Sequence, residues 1–105
     1  MELTIKKNEQ EQPIAFAAVF SGTEVSDKEV AKFFDDCWEK NGFYDKISGE
    51  YDISTVCVGG VIAVDRDEST PTEYIQQLID DIEDFAKQKN LAIITQSYTE
   101  EKSDG

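Results

Sequence analysis

The feature of this sequence that most constrains its fold is an amphipathic stretch between residues 71 and 90. Thr70, Pro71 and Glu73 predict the start of a helix, with a threonine N-cap, a proline at the first helical position and a glutamate that completes a capping box. Asn90 can cap its other end. The apolar residues recur every three or four positions, as on one helix face; they are Ile75, Leu78, Ile79, Ile82, Phe85 and Ala86. A helix of this kind requires an apolar surface to pack against.

A second amphipathic helix is predicted nearer the N-terminus. Ser26 and Glu29 form the S-x-x-E capping box of a helix start, and Asn41-Gly42 suits a helix end near residue 40. One face is apolar, and its members are Val30, Phe33, Phe34, Cys37 and Trp38. Trp38 lies at the edge of that face, where it either joins the core or forms an exposed anchor for a partner.

β-Rich segments surround the two helices. Five strands are predicted, near Leu3 to Ile5, Ile14 to Phe20, Ile53 to Val58, Val61 to Asp65 and Leu91 to Tyr98. The first two form a hairpin, and Gly59-Gly60 predicts a two-residue hairpin turn between the third and fourth. A single long strand with a glycine bulge is the alternative at that point. Residues 43–51 are either a loop or an irregular edge strand, and a frayed tail begins at about residue 99.

This order of elements, β-β-α-β-β-α-β, predicts an α+β fold. Its last six elements reproduce the βαββαβ order of a ferredoxin-like unit. We therefore expect an antiparallel sheet with both helices on one face and an extra N-terminal strand. A chain of 105 residues has room for one domain.

Charge and composition restrict the partners. The net charge is −13, from 23 acidic and 10 basic residues, so direct binding to nucleic acid or to an anionic membrane is disfavoured.

The sequence has no apolar run long enough to cross a bilayer and no signal-peptide pattern. Cys37 and Cys57 lack the spacing of a zinc site or a disulfide framework. We expect a cytoplasmic protein.

Histidine is absent, which excludes a Ser-His or Cys-His nucleophile and any histidine metal site. Asp65 and Asp67 could offer oxygen ligands to Mg²⁺ or Ca²⁺, but the segment lacks the calcium-loop pattern, so we expect a solvated loop. Cys37 lies on an apolar helix face and is interpreted as a structural thiol. The sequence therefore predicts no enzyme activity, cofactor or metal.

One acidic surface is singled out. Glu73, Asp80 and Asp84 align on the polar face of the second helix, and no basic residue precedes Lys87. Asp81 flanks this stripe, and three loop acids are expected near the helix start. The predicted partner-binding residues are Glu73, Asp80, Asp81, Asp84, Asp65, Asp67 and Glu68. The alternative interpretation is a solvated acidic face.

These observations favour a small acidic inhibitor, such as an immunity protein, a phage antagonist or a nucleic-acid mimic. Its partner would be a basic protein, for example a nuclease or another nucleic-acid-binding protein, because a preformed charged surface accelerates association with the opposite charge. Two alternatives remain open. One is a carboxylate-based ligand-binding or sensor domain, and the other is an accessory module whose charge serves solubility.

Overall fold

Among the described residues, two helices and five strands follow one another in the predicted order, which confirms the α+β class. The computed structural model describes residues 1–20, 24–40, 53–66 and 70–99. The elements are β1 (Glu2–Lys7), β2 (Pro13–Val19), α1 (Asp27–Lys40), β3 (Ile53–Val58), β4 (Val61–Arg66), α2 (Thr72–Gln88) and β5 (Ile94–Thr99). The predictions for Asn41-Gly42, residues 43–51 and the tail from residue 100 lie outside the described residues.

The five strands form one sheet in the order β3-β4-β2-β1-β5. β2 and β3 run parallel with β4 between them, which is the split arrangement of a ferredoxin-like unit. The extra N-terminal strand β1 is inserted between β2 and β5. β1 pairs antiparallel with β2 but parallel with β5, so the sheet is mixed rather than wholly antiparallel. The α2 crossover connects β4 to β5 as parallel strands. Because β1 runs in the same direction as β4, β5 is also parallel to β1.

The core lies between one face of the sheet and the two helices. All six predicted apolar residues of α2 are buried, and Glu73, Asp80 and Asp84 on its other face are exposed. This confirms the predicted register of the helix. Trp38 is half-buried against the core, with its ring centroid 5.6 Å from that of Phe34. The sheet contributes Leu3, Ile5, Phe16, Ala18, Ile62 and Val64. Within the described ranges, neither helix is long and apolar enough to span a membrane.

The helix ends follow their sequence signals with one exception. The Ser26 hydroxyl accepts the Glu29 amide at 3.2 Å, which confirms the capping box of α1. Asn90 adopts a positive φ of 58° at the end of α2, as predicted. The expected Thr70 cap of α2 is wrong, because the N-cap is Pro71 and no side chain bonds there. Thr70 is instead buried, and its carbonyl accepts a hydrogen bond from Arg66.

Gly59 and Gly60 form the tight turn of the β3–β4 hairpin, so the alternative of one long strand is wrong. Both have positive φ, at 58° and 77°, as a type I′ turn requires. A Cβ on Gly60 would lie 3.1 Å from the Phe20 carbonyl oxygen, whereas one on Gly59 would meet nothing within 4 Å. The Phe20 amide also donates to the Gly60 carbonyl, so these two backbones are held together.

Replacing Gly60 with alanine is therefore expected to destabilise the protein more than replacing Gly59. Both changes place a side chain at positive φ, which costs about 1–2 kcal/mol. Only Gly60→Ala adds a tight contact with the Phe20 backbone. Urea denaturation of the two variants measures the difference directly, and equal free energies of unfolding would contradict the close approach.

Leu78 is fully buried in the middle of α2, so Leu78→Ala is expected to lower the free energy of unfolding by about 2–5 kcal/mol. The matched control is Gln77→Ala, because Gln77 is the exposed neighbour on the same helix and a surface change of this kind stays within about 0.5 kcal/mol. A loss for Leu78→Ala no larger than that of the control, in chemical denaturation, would contradict the packing of α2.

Candidate functional site

A groove of about 600 Å³ lies between α1 and α2. On each helix the lining residues recur at three- and four-residue spacing, which places them on one side of the helix. The lining residues are Glu29, Lys32, Phe33, Asp36, Cys37 and Lys40 from α1 and Asp81, Asp84, Phe85, Gln88 and Lys89 from α2. Its volume falls in the range of ligand-binding pockets, about 300–1,000 Å³.

Aromatic rings form the apolar part of the groove. The rings of Phe33 and Phe85 stack with centroids 4.2 Å apart and an angle of 22° between their planes. Phe85 also contacts Phe20 in a T-shaped arrangement, with ring centroids 5.6 Å apart. Phe85 therefore joins the groove to the core between helices and sheet. Charged side chains surround an apolar patch, which suits a ligand that is itself amphipathic.

One part of the groove brings together a thiol, a carboxylate and an ammonium group. The Cys37 thiol donates a hydrogen bond to Asp81 Oδ2 at 3.2 Å. Lys40 Nζ lies 3.4 Å from the other carboxylate oxygen, Oδ1. The Asp81 side chain is 14% exposed, whereas that of Lys40 is 70% exposed. The Asp81 carboxylate thus accepts the thiol hydrogen bond on one oxygen and pairs with the Lys40 ammonium group on the other.

A second ion pair stands at another part of the groove. Lys89 Nζ lies 3.1 Å from Glu29 Oε2 and 5.9 Å from the centroid of the Phe85 ring. The hydrogen bond from Lys89, and then the charge of Lys89, lower the pKa of Glu29 below its ordinary value of 4.5. Because the folded pKa is depressed, the stability that this pair contributes is present above pH 4.5 and is lost as the pH falls through the lowered value.

The predicted acidic stripe divides between solvent and the groove. Asp80 and Asp84 are exposed and accept hydrogen bonds from Gln76 and Gln88 at 2.9 and 3.1 Å. Asp84 also lines the groove, and Asp81 is turned into it towards α1. The structure therefore keeps Glu73, Asp80 and Asp84 on the exposed side of α2, whereas the Asp81 side chain is directed to α1.

The predicted loop acids are not all beside this stripe. Asp65 lies within β4, paired with Ala15 on β2 and Ser54 on β3. Its neighbour Val64 is buried towards the helices, so Asp65 points to the opposite face of the sheet. The structure does not bring Asp65 together with α2. Asp67 and Glu68 lie outside the described residues.

The sequence interpretation missed the groove. Cys37 was predicted to be only structural because it lies on the apolar face of α1. The sequence shows that Lys40 lies about one turn after Cys37 on α1. The hydrogen bond between Cys37 and Asp81, however, joins residues 44 positions apart. Only the packing of α1 beside α2 creates it. No group of three histidine, cysteine or acidic side chains suited to a metal ion occurs among the residues that the structure describes.

No family model matches the sequence, and no curated protein matches it. Solved structures do share its fold. The essential ribosomal processing protease Prp from S. aureus, in complex with a covalently linked product peptide, has a TM-score of 0.59 at 12% identity, covering 92% of this chain and 98% of that one. The same protease with a substrate peptide has a TM-score of 0.55 at 13% identity, with the same coverage. SMU.848 from Streptococcus mutans has a TM-score of 0.53 at 12% identity, covering 94% of this chain and 97% of that one.

These matches overturn two predictions. The predicted acidic inhibitor, immunity protein or nucleic-acid mimic is wrong, because the fold is that of structures described as a processing protease. The prediction of no enzyme activity is wrong on the same finding. Net charge describes a surface and does not determine the fold. The absence of histidine excludes an imidazole base, but it leaves thiol and carboxylate groups.

An NMR titration of the Glu29 carboxyl group tests the Lys89 pair. We expect its midpoint to lie below 4.5 and to rise in the variant Lys89→Gln, which keeps much of the side chain but removes the positive charge. Lys87→Gln is the matched control, because Lys87 is also exposed near the end of α2 but does not line the groove. An unchanged Glu29 titration in Lys89→Gln would contradict the pair.

Proposed function

We propose that the protein acts on polypeptides, that it binds a peptide segment in the α1–α2 groove, and that Cys37 is the group that reacts with that segment. The observation that carries this proposal is the fold shared over 92% of the chain with a protease solved with its substrate peptide and with a covalently linked product peptide. The groove supplies an apolar patch, charged walls and a thiol in one place.

The charges of the groove favour a basic peptide. Glu29 and Asp81 are balanced by Lys89 and Lys40. The other charged lining residues are two acids and one base, namely Asp36, Asp84 and Lys32. The whole chain adds a field from its net charge of −13, which attracts cations towards clefts. We therefore propose that the basic partner expected from the sequence is a basic polypeptide segment, and that it binds in this groove.

The geometry supports attack by sulfur. As the Cys37 sulfur forms a bond to the peptide carbonyl carbon, Asp81 takes the thiol proton. The carbon–nitrogen bond of the peptide then breaks, and Asp81 returns that proton to the leaving amine. Water hydrolyses the resulting thioester, which returns the thiol and gives a carboxylic acid. A carboxylate is a weaker base than an imidazole, so we expect turnover slower than that of a Cys-His enzyme.

Access to the sulfur comes after binding. Cys37 is only 4% exposed, so a substrate reaches it when side chains of the groove move aside. Peptide binding and reaction are therefore separable steps with separate measurements.

We place the protein in the cytoplasm, because neither Cys37 nor Cys57 is in a disulfide.

Binding is tested with fluorescent peptides of basic, neutral and acidic composition. We expect basic peptides to bind best and their affinity to fall as salt is raised. The double variant Asp36→Asn/Asp84→Asn should weaken binding because it removes two acids of the groove. Glu39→Gln is the control, since it removes an acid of α1 that does not line the groove. Fluorescence anisotropy that shows no binding of any peptide class would contradict the proposed function.

Reaction is tested with a basic peptide that ends in a chloromethyl ketone. Its methylene carbon bonds to the thiol sulfur while chloride leaves and the thiol proton is released. We expect intact-protein mass spectrometry to show one adduct, which is absent in Cys37→Ser and retained in Cys57→Ser. Cys57 is the matched control, because this second thiol lies on β3 and does not line the groove. Burial also raises its pKa. An adduct that persists in Cys37→Ser would contradict the role of Cys37.

A further inference from the structure

The sheet face opposite the helices carries an apolar surface that the groove does not use. The strand registers place side chains on it in three rows. The first row crosses the sheet as Val58, Val61, Val19, Glu2 and Ile94, the second as Val56, Ala63, Ala17, Thr4 and Gln96, and the third as Ser54, Asp65, Ala15, Lys6 and Tyr98. We name these fifteen positions the open face.

Apolar side chains are concentrated on the open face. Antiparallel strands with one solvated side normally alternate apolar and polar residues, but β2 and β4 carry apolar residues on both sides at most positions. Five large apolar residues are exposed among those that the structure describes, and all five belong to the open face: Val19, Val56, Val58, Ile94 and Tyr98. Val58 reaches 69% exposure. An exposed apolar patch of this kind is typical of an interaction surface.

The open face is also nearly neutral in a strongly acidic chain. Its charged residues are Glu2, Asp65 and Lys6, which together contribute −1 of the net charge of −13. The other −12 lies elsewhere on the chain. A highly charged molecule can therefore approach a second copy through this surface with much less repulsion than through its helices.

A two-fold rotation matches the rows at two pairs of positions, whereas Val61 would face Glu2 of the second copy. β2 is the middle strand of the five. A two-fold axis along β2 between two stacked sheets would place β3 of one copy over β5 of the other, and β4 over β1. Val58 then faces Ile94 of the second copy, and Asp65 faces Lys6 of the second copy. Ala15 and Ala17 lie on the axis, where their small side chains permit the sheet separation of about 10 Å found in β-sandwiches.

We propose that two copies of this chain associate through their open faces, with a two-fold axis along β2 and two Asp65–Lys6 pairs between the copies. The size of the surface predicts a weak, concentration-dependent dimer. Five strands at about 4.8 Å and five residues at about 3.3 Å give a plane of about 400 Å² on each copy, and the side chains increase the accessible area. That approaches the size of the smaller specific interfaces, which start at about 1,000 Å² in total.

Sedimentation equilibrium of the full chain tests the proposal. We expect the wild type to reach twice the monomer mass of 11.8 kDa as its concentration is raised. Asp65→Lys or Lys6→Asp alone should weaken dimerisation about tenfold or more, which corresponds to 1.4 kcal/mol. The double variant Asp65→Lys/Lys6→Asp should restore it, because each charge again meets its opposite. Within one copy these residues are two strands apart, about 9–10 Å between Cα atoms, so the concentration dependence of the mass separates a contact between copies from one within a copy.

Glu39→Lys on the outer side of α1 is the control for charge alone, and it should not weaken dimerisation. A wild type that stays monomeric at the highest soluble concentration overturns the proposal without reference to any variant. Dimerisation that the single changes leave untouched also overturns it, as does a double variant that remains monomeric while its circular dichroism matches that of the wild type.

Discussion

The packing of both helices on one face of the sheet is the constraint from which the rest of the structure follows. The fully buried residues of α2, such as Leu78 and Ile82, lie against the apolar side of the sheet, and this burial is the main source of folding free energy. Because α1 occupies the same face, the two helices lie side by side and leave a groove between them. Because nothing in the described chain covers the other face, its valines remain exposed.

Local patterns in the sequence predicted the elements well, because they depend on neighbours in the chain. The three- and four-residue spacing of α2 and the Gly59-Gly60 turn are of this kind, and both were confirmed. The parallel pairing of β1 with β5 could not be predicted in this way, because it joins residues about 90 positions apart, such as Glu2 and Ile94. Thr70 was misread as a cap because its burial depends on tertiary contacts.

The candidate site was harder to predict than the fold for the same physical reason. Cys37 looked structural on α1 alone, and Asp81 looked like one more acid on the surface of α2. Their hydrogen bond exists only where the helices meet. The net charge of −13 suggested an acidic inhibitor, whereas it is equally compatible with a peptide-binding groove that attracts basic segments. Charge constrains the partner, and the packing of the helices determines where that partner can bind.

Hydrogen exchange with and without a basic peptide tests the central claim that the α1–α2 groove is the binding site. Peptide binding slows exchange of the backbone amides near the surface that it covers. The account predicts added protection in α1 and α2, with β3 and β5 unchanged at a protein concentration that keeps the oligomeric state constant. Protection confined to the strands, with exchange in both helices unaltered while the peptide is bound, would contradict it.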